Sequence, residues 1–360
     1  MDRSALELRL RQHVRTYQDF NASACAELTS TPSPLAFHRF VAANRPVVIR
    51  GQGQRDQIRA LDRWTDDYLV RMMEEKEVAI SVDPTGNADS IVNGHFVEPA
   101  TVDMPLSQLF EHLKDESRSD ARSERPVYYL QTQNGNLSNE YSALLEDVGL
   151  EGPAWAREVF GERPDVANIW IGGARSVTSM HKDPYENVYL VVRGSKTFVL
   201  LPPSEAYCVH EQQFPHASWT FDPTATGSGS SFTLTPTDPP VSLPWIPIDP
   251  LAPDLDKYPR YACARPMTVR LDAGDMLYLP AMWYHHVSQT PDYFAGTSNW
   301  SGRNDKAGEP TGVKATIAIN WWTDVKYDGA FWSSTQLVRS LVNELDGRTG
   351  EEGSDDESDP

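Results

Sequence analysis

Residues 169–201 read IWIGGARSVTSMHKDPYENVYLVVRGSKTFVLL, and this stretch decides the fold and holds the first candidate site. Residues of high β-propensity surround the pair His181 and Asp183 on both sides. Side chains repeat every second residue along an extended strand, so the imidazole and the carboxylate would point to the same side. An isolated pair of this kind is more often a surface or turn feature, and only the surrounding strands favour a metal site here.

A distant histidine could complete the site. Residues 274–287, GDMLYLPAMWYHHV, end another apolar run with His285 and His286. One imidazole from there, with His181 and Asp183, would give the two-histidine, one-carboxylate face by which non-haem oxygenases bind Fe(II). Neighbouring residues of a strand face opposite ways, so only one of the two histidines can point at the metal. Periodicity leaves the choice open, because the strand can begin with a bulge.

A lysine follows the candidate metal pair along the chain. We predict that the turn at 193–195 makes a hairpin and folds Lys196 back beside the strand of His181. Three protein ligands leave three positions on Fe(II) for a 2-oxo acid and O₂. The far carboxylate of that acid needs a cation, which Lys196 can supply, and hydroxyl donors, for which Thr178 and Tyr129 are candidates. The alternative for Lys196 is an exposed hairpin lysine.

Two asparagines lie on strands that are otherwise apolar. Buried amides need hydrogen-bond partners. Asn187 and Asn320 therefore either support the metal site from behind its ligands or form a structural hydrogen bond inside the barrel. The tryptophans Trp283, Trp321 and Trp322 are predicted to fill the core.

The first part of the chain alternates helices with single strands. Residues 4–20 are expected to form an amphipathic helix with Ser4 as its N-cap, and Asp103 is expected to cap a later one. The other expected helices are 35–43, 61–73, 104–113 and much of 138–159. The expected strands are 46–51, 77–82 and 127–131.

From residue 167 the pattern becomes that of short strands. They are expected at 167–172, 176–180, 187–192, 196–201, 267–271, 275–279, 285–289 and 313–322. Seven or eight such strands suggest a double-sheet β-barrel. Residues 212–257 are rich in Pro, Thr, Ser and Gly and are interpreted as a surface insertion, ordered in part over the site. A helix at 337–345, preceded by Phe331 and Trp332, closes the fold, and the acidic tail 350–360 is predicted to be disordered.

Composition limits the possible functions. The chain has 360 residues, 39% of them apolar, and a formal net charge of −19, which argues against a nucleic-acid surface. An acidic protein attracts basic partners such as a lysine-rich polypeptide, although solubility explains the charge equally well. Three unclustered cysteines indicate a reducing compartment without disulfides. No apolar run is long enough for a membrane span, and no signal peptide is visible, so we expect a cytoplasmic protein, with the nucleus as a further possibility.

Three stretches resemble the jumonji-C (JmjC) family of Fe(II)- and 2-oxoglutarate-dependent oxygenases, and the similarity covers about residues 35–343. They are TSMHKDPYEN (178–187), GDMLYLPAMWYHHV (274–287) and IAINWW (317–322). Within the family the chain is most similar to a lysyl hydroxylase. The resemblance implies a mainly β (α+β) fold, a double-stranded β-helix of the jelly-roll or cupin-like kind with surrounding helices.

The resemblance also assigns roles to residues. It makes His181, Asp183 and His285 the iron ligands, choosing His285 because the family's ligand directly follows the aromatic residue that is Tyr284 here. It implies that Lys196, Thr178 and Tyr129 hold 2-oxoglutarate and that Asn187 and Asn320 line its pocket. The insertion at 212–257 departs from compact family members.

The resulting hypothesis is a single oxygenase domain over residues 1–349. Its parts are a wrapping region to about 166, a barrel at about 167–325 and a C-terminal dimerisation segment at 326–349. Fe(II), 2-oxoglutarate and O₂ would hydroxylate C-3 of a lysine in a protein, such as a basic segment of a translation-related GTPase. The alternatives are demethylation of methyl-lysine, proteolysis of protein tails, and a non-catalytic cupin-like binding module.

Overall fold

The architecture comes from a computed structural model that describes residues 2–51, 58–117, 125–132, 135–225, 231–291 and 315–348. The helices are α1 (Arg3–Phe20), α2 (Pro34–Ala42), α3 (Ala60–Arg63), α4 (Asp66–Met73), α5 (Leu106–Ser117), α6 (Leu145–Val148), α7 (Ala154–Phe160) and α8 (Gly329–Leu345). The predicted tail at 350–360 lies outside the described residues.

The strands before the barrel are β1 (Ala26–Leu28), β2 (Val47–Ile49), β3 (Glu77–Asp83), β4 (Asn87–Ala88), β5 (Ser90–Val92), β6 (His95–Glu98), β7 (Ala100–Pro105) and β8 (Val127–Leu130). The later strands are β9 (Val166–Gly172), β10 (Val177–His181), β11 (Tyr185–Arg193), β12 (Ser195–Leu201), β13 (Gln212–Phe221), β14 (Phe232–Pro236), β15 (Ser242–Trp245), β16 (Met267–Asp272), β17 (Met276–Leu279), β18 (Tyr284–Thr290) and β19 (Thr316–Asp324).

A double-stranded β-helix forms from two facing sheets and eight strands, which are β9, β11, β17 and β19 in one sheet and β10, β12, β16 and β18 in the other. The large sheet has the order β1-β2-β17-β11-β19-β9-β8-β3-β7, and the small sheet has the order β16-β12-β18-β10-β4. All neighbours within the eight are antiparallel. The eight strands predicted after residue 167 are these eight, so the jelly-roll prediction is confirmed.

Alternation along the strands separates the barrel interior from the outer layers. On β11, Tyr189 and Val191 face the interior cluster, whereas Val188 and Leu190 face the helices outside the large sheet. The outer cluster contains Phe37 of α2 and residues of α4, α5 and α7. Full burial of one such side chain stabilises the fold by about 1.5–3 kcal/mol, so these helices are part of the barrel's support.

Helices α1 and α8 cover the outer face of the small sheet. Leu6, Leu10 and Val14 repeat at helical spacing and are buried there together with Val338 and Val342. The apolar face of α8 is therefore occupied within the chain. The dimerisation role expected for this segment stays a prediction.

The predicted helix starts and lengths were wrong in several places. Asp2, not Ser4, is the N-cap of α1. Asp103 lies in β7 opposite Ala79, because edge pairing with β3 takes this stretch into the sheet before α5 begins. The helix expected at 61–73 is interrupted where Thr65 caps α4 by accepting a hydrogen bond from the Tyr68 backbone N–H at 3.2 Å. The helix expected at 337–345 begins at Gly329, and only short helices occupy 138–159.

The predicted hairpin before Lys196 was also wrong. β11 belongs to the large sheet and β12 to the small sheet, so the turn at 193–195 crosses between sheets. In the small sheet, β12 pairs with β18, and β18 separates it from β10, which carries His181. Lys196 therefore lies on the strand next to β18, which carries His285, and not beside the strand of His181.

Candidate metal centre and cosubstrate pocket

A β-bulge in β10 brings the candidate residues of that strand to one face. Across the β10–β18 pair, Thr178 lies opposite Val287 and His181 lies opposite His285, so one extra residue stands on the β10 side. Residues three apart normally face opposite sides of a strand. The bulge cancels that difference and turns both Thr178 and His181 to the interior.

Three side chains converge at the end of β10 and the start of β18. Asp183 Oδ2 lies 3.7 Å from His181 Nε2 and 3.5 Å from His285 Nε2. One donor atom from each residue lies within 4.8 Å of the others. Met282 at φ 67° donates its backbone N–H to the Asp183 carbonyl at 2.8 Å, which fixes the loop that presents the carboxylate.

The outer nitrogens of both histidines face backbone carbonyls. His181 Nδ1 lies 2.8 Å from the Ser179 carbonyl oxygen, and His285 Nδ1 lies 2.9 Å from that of Trp283. Each Nδ1–H donates to its carbonyl, which leaves the Nε2 lone pairs directed at Asp183. This is the tautomer that a metal ligand needs, held by the usual outer partner.

The pKa shifts of Asp183 and His285 follow from burial and from the charges within the cluster. Burial raises the pKa of Asp183, but the imidazoles of His181 and His285 outweigh it and bring that pKa to about 2. Burial and the neighbouring His181 lower the pKa of His285 to about 4. A carboxylate that stays ionised beside a neutral imidazole is a donor set suited to a divalent cation such as Fe(II).

The register of β18 separates the two adjacent histidines. His285 lies opposite Leu200 of the interior cluster. His286 lies opposite Val199, which belongs to the separate cluster between the small sheet and helices α1 and α8. His286 therefore faces away from the three-residue cluster. Periodicity alone left open which histidine faces the site, and the pairing of β18 with β12 places His285 there.

The candidate lysine is enclosed in the barrel interior. Lys196 is 1% exposed, and its Nζ donates to Tyr129 Oη at 3.0 Å. The ammonium also lies 6.0 Å from the ring centre of Tyr189. Thr178 hydrogen-bonds to the Tyr129 hydroxyl and lowers its pKa, against the larger upward effect of burial. Burial lowers the pKa of Lys196 to about 7. The alternative of an exposed lysine is excluded.

The two asparagines form one hydrogen-bonded chain across the large sheet. Trp170 Nε1 donates to Asn320 Oδ1 at 2.9 Å, and Asn320 Nδ2 donates to Asn187 Oδ1 at 3.2 Å. Both amides face the interior from β11 and β19. The structural hydrogen bond is thus present, and a further contact with a cosubstrate stays a prediction.

The interior fits a dianionic cosubstrate. Gln289 lies opposite Lys196, and both its amide atoms are buried without a partner among the described residues. Within those residues, no carboxylate lies within ion-pairing distance of Lys196. Gly172 leaves this space open, since a Cβ there would collide with the Gln289 amide and lie 2.7 Å from Tyr129 Cδ2. A carboxylate would neutralise the ammonium and accept from the amide, whose isolation otherwise costs about 1–3 kcal/mol.

Sequence reasoning missed Gln289 and the contribution of the 212–257 insertion. The described part of that insertion forms β13, β14 and β15, while residues 226–230 lie outside the described ranges. Its Trp245 ring stacks on His181 with 5.9 Å between centroids and 4° between planes. The alternating apolar residues of β13 were the available signal for strands, but nothing in the sequence indicated that Trp245 reaches the metal face.

Comparisons with known proteins agree with this geometry. A family model described as "Cupin-like domain" matches residues 33–329. The chain is 36% identical to the human "Bifunctional peptidase and (3S)-lysyl hydroxylase JMJD7", over 95% of this chain and 98% of that protein. It is 34% identical to "JmjC domain-containing protein E" of Dictyostelium discoideum, over 86% of this chain and 87% of that protein. It is also 34% identical to "Lysine-specific demethylase JMJ32" of Arabidopsis thaliana, over 83% of this chain and 81% of that protein.

Proposed function

The chain belongs to the JmjC family of cupin-like proteins, and from this premise we propose that it is an Fe(II)- and 2-oxoglutarate-dependent protein hydroxylase acting at C-3 of lysine. One observation carries the proposal: the cluster of His181, Asp183 and His285 opens into the same interior as the buried Lys196. Burial of an ammonium without a counter-charge is costly, and a metal-binding cupin that takes no anionic cosubstrate would not require it.

Different residues would bind the metal and the cosubstrate. His181, Asp183 and His285 would hold Fe(II), and the Ser179 and Trp283 carbonyls keep the two imidazoles in the ligating tautomer. Lys196 and Tyr129 would bind the far carboxylate of 2-oxoglutarate. When bound, Fe(II) and 2-oxoglutarate would supply the oxidation, in which 2-oxoglutarate and O₂ are converted to succinate and CO₂ while the substrate carbon gains one hydroxyl. The apolar residues of the barrel interior would exclude water from that reaction.

Lysine hydroxylation is favoured over other oxidations by the human relative, whose name includes a lysyl hydroxylase activity and which spans nearly the whole chain. A translation-related GTPase with a basic segment is the proposed type of partner, and the net charge of −19 suits a basic segment. A cytoplasmic or nuclear setting is part of the proposal. Among the described helices, none combines the length and the apolarity needed to cross a bilayer.

The test is incubation of the purified protein with Fe(II), 2-oxoglutarate and lysine-containing peptides. We expect one succinate for each peptide that gains 16 Da (the mass of one oxygen atom), with the added oxygen at C-3 of lysine. The His285→Ala variant should give neither product. Metal content is measured first, since a binding module without catalysis would show no succinate even when loaded with iron.

Demethylation is the second candidate, because the Arabidopsis relative is named a lysine-specific demethylase. The same site would then oxidise an N-methyl group, which departs as formaldehyde and leaves the peptide 14 Da lighter. Methylated peptides and a formaldehyde assay separate the two reactions. Peptide cleavage, suggested by the other part of the human relative's name, would appear in the same spectra as shortened chains.

A further inference from the structure

A half-buried carboxylate lies at the mouth of the site, outside the three-residue metal cluster. Asp89 stands between β4 and β5, and β4 pairs with β10 so that Ala88 is opposite Thr178. The Ser179 hydroxyl donates to the Asp89 carbonyl oxygen at 2.5 Å. Asp89 adopts φ 52°, in the left-handed region that Asp tolerates better than most residues. The backbone is therefore held in one unusual conformation directly beside β10.

The Asp89 carboxylate faces the same interior as the cosubstrate pocket. Gln131 Nε2 donates to Asp89 Oδ2 at 3.2 Å, and Gln131 follows Tyr129 by two residues and lies on its side of the chain. The charge of His181 lowers the pKa of Asp89, against the larger upward effects of burial and of the Glu98 carboxylate. Burial raises the pKa of Asp89 to about 6. Within the described residues, no cationic side chain lies within ion-pairing distance of Asp89.

An indole completes the mouth beside this carboxylate. Trp245 ends β15, where it pairs with Gln212, and its Nε1 donates to the Ser179 hydroxyl at 3.0 Å. The ring stacks on His181 and packs against Phe96 with 4.5 Å between centroids. One residue, Ser179, therefore connects three groups: its backbone carbonyl accepts from His181, and its side-chain hydroxyl donates to the Asp89 backbone carbonyl and accepts from the Trp245 indole.

We propose that Asp89 and Trp245 recognise the side chain of the substrate lysine, with the Asp89 carboxylate accepting from the ε-ammonium and the Trp245 indole covering the methylene chain. This inference rests on the proposed function. A half-buried carboxylate without a cationic partner is unfavourable, and an incoming ammonium supplies the missing charge. The indole adds an apolar face and a cation–π attraction.

The arrangement also explains why one carbon would be oxidised. The ammonium is at the far end of the lysine side chain from C-3. Fixing the nitrogen at Asp89, while the indole keeps the chain extended past His181, determines which carbon reaches the metal face. Lys196 is not available to neutralise Asp89, because its ammonium is bound to Tyr129 in the deeper part of the barrel.

The test uses four synthetic peptide pools that have degenerate flanks and differ only at the central residue: lysine, arginine, norleucine or acetyl-lysine. For each protein variant, iron content and 2-oxoglutarate turnover without peptide are recorded first, followed by oxygen incorporation into each pool. Wild-type protein should oxidise the lysine pool at least about 10-fold faster than the norleucine and acetyl-lysine pools, because these lack the charge.

Asp89→Asn keeps the shape and removes the charge. It should retain its iron and its peptide-free turnover within about twofold, while oxidation of the lysine pool falls about 30-fold, the loss expected for one charge-assisted hydrogen bond. Glu98→Gln is the matched control: Glu98 lies near Asp89 but its side chain is 52% exposed and pairs with His216 at 3.3 Å. Its change should stay within about twofold, since solvent screens that charge.

Three outcomes would overturn the inference while the oxygenase function stands. The first is a wild-type protein that turns over 2-oxoglutarate but oxidises the norleucine or acetyl-lysine pool as well as the lysine pool. The second is an Asp89→Asn variant that keeps the wild-type rate on lysine. Loss of iron in Asp89→Asn would assign Asp89 to the metal centre and contradict it too. Absence of any 2-oxoglutarate turnover in the wild type refutes the proposed function, and the inference with it.

Discussion

The deep end and the mouth of the barrel carry opposite charges. At the deep end, Lys196 is a cation enclosed by Tyr129 and Tyr189, and the nearby Gln289 amide has no described partner. At the mouth, Asp89 is an anion that keeps part of its surface accessible. Under the proposed function, this difference in charge would let one cavity bind two ligands: a small dianion beside Lys196, and a cationic side chain beside Asp89.

The largest effect should come from the metal cluster, on which both ligand sites would depend. His285→Ala removes a ligand, and we expect iron affinity and turnover to fall by more than about 100-fold, beyond what loss of an outer partner costs. His286→Ala changes the adjacent residue, which faces the cluster beneath α1 and α8. This variant should retain its iron. Metal analysis and succinate release measure both. Equal loss in the two variants would contradict the assigned register of β18.

The next largest effect should separate the deep end from the mouth. Lys196→Met should weaken 2-oxoglutarate binding by about 10- to 100-fold, through loss of a charge-assisted contact of about 1.5–3 kcal/mol. Without cosubstrate, the same variant should have a higher free energy of unfolding, because the native protein buries an unpaired ammonium. Asp89→Asn should leave 2-oxoglutarate affinity within about twofold. Titration calorimetry measures 2-oxoglutarate binding by both variants, and thermal unfolding measures their stability. If Asp89→Asn weakens 2-oxoglutarate binding as strongly as Lys196→Met does, the two ends of the barrel do not have separate roles.

The charge of the deep end should make cosubstrate binding depend on pH. Burial lowers the pKa of Lys196 to about 7, so above that pH the free protein holds a neutral amine and must take up a proton when the dianion binds. Affinity should therefore be level below pH 7 and fall by up to about tenfold per unit above it. Stability of the free protein should rise over the same range, since the unfolded chain still binds the proton until about pH 10.4.

Lys196→Arg is the control for this pH dependence. A guanidinium stays charged at these pH values. If the variant folds and binds 2-oxoglutarate, its affinity should not change between pH 7 and 9. Calorimetry in two buffers of different ionisation enthalpy would show proton uptake for the wild type and none for the variant. Proton uptake in both would assign the titration to a group other than Lys196.

The smallest effect should come from Gln289. Gln289→Leu removes an amide that lacks a described partner, so stability of the free protein should be unchanged or rise by about 1 kcal/mol. If the amide contacts 2-oxoglutarate, affinity should fall only about fivefold, as expected for a neutral hydrogen bond. Gln131→Leu, at the mouth, should instead leave 2-oxoglutarate affinity unaltered. A larger effect from Gln131 would place the cosubstrate nearer to Asp89 than to Lys196.

Much of the barrel was predictable because its signals are local. Apolar runs bounded by turn residues gave the eight barrel strands, and the resemblance of TSMHKDPYEN and WYHHV to family motifs indicated three candidate ligands. The helix boundaries were less accurate, since Asp103 could cap a helix or enter β7 and only pairing with β3 decided between them. The hairpin predicted before Lys196 failed for the same reason, because a short turn fits a hairpin and a crossover between sheets equally well.

The sequence by itself determined the strand content, the residue types of the metal cluster and the presence of a lysine after it, because alternation and β-propensity act between near neighbours in the chain. Only the tertiary structure decided that a bulge turns Thr178 and His181 to one face, that His286 points outward, and that Ser179 brings Asp89 together with Trp245. These features depend on register between segments far apart in sequence. A shift of one residue in any pairing would reverse the facing of every side chain, and no local pattern records which register is adopted.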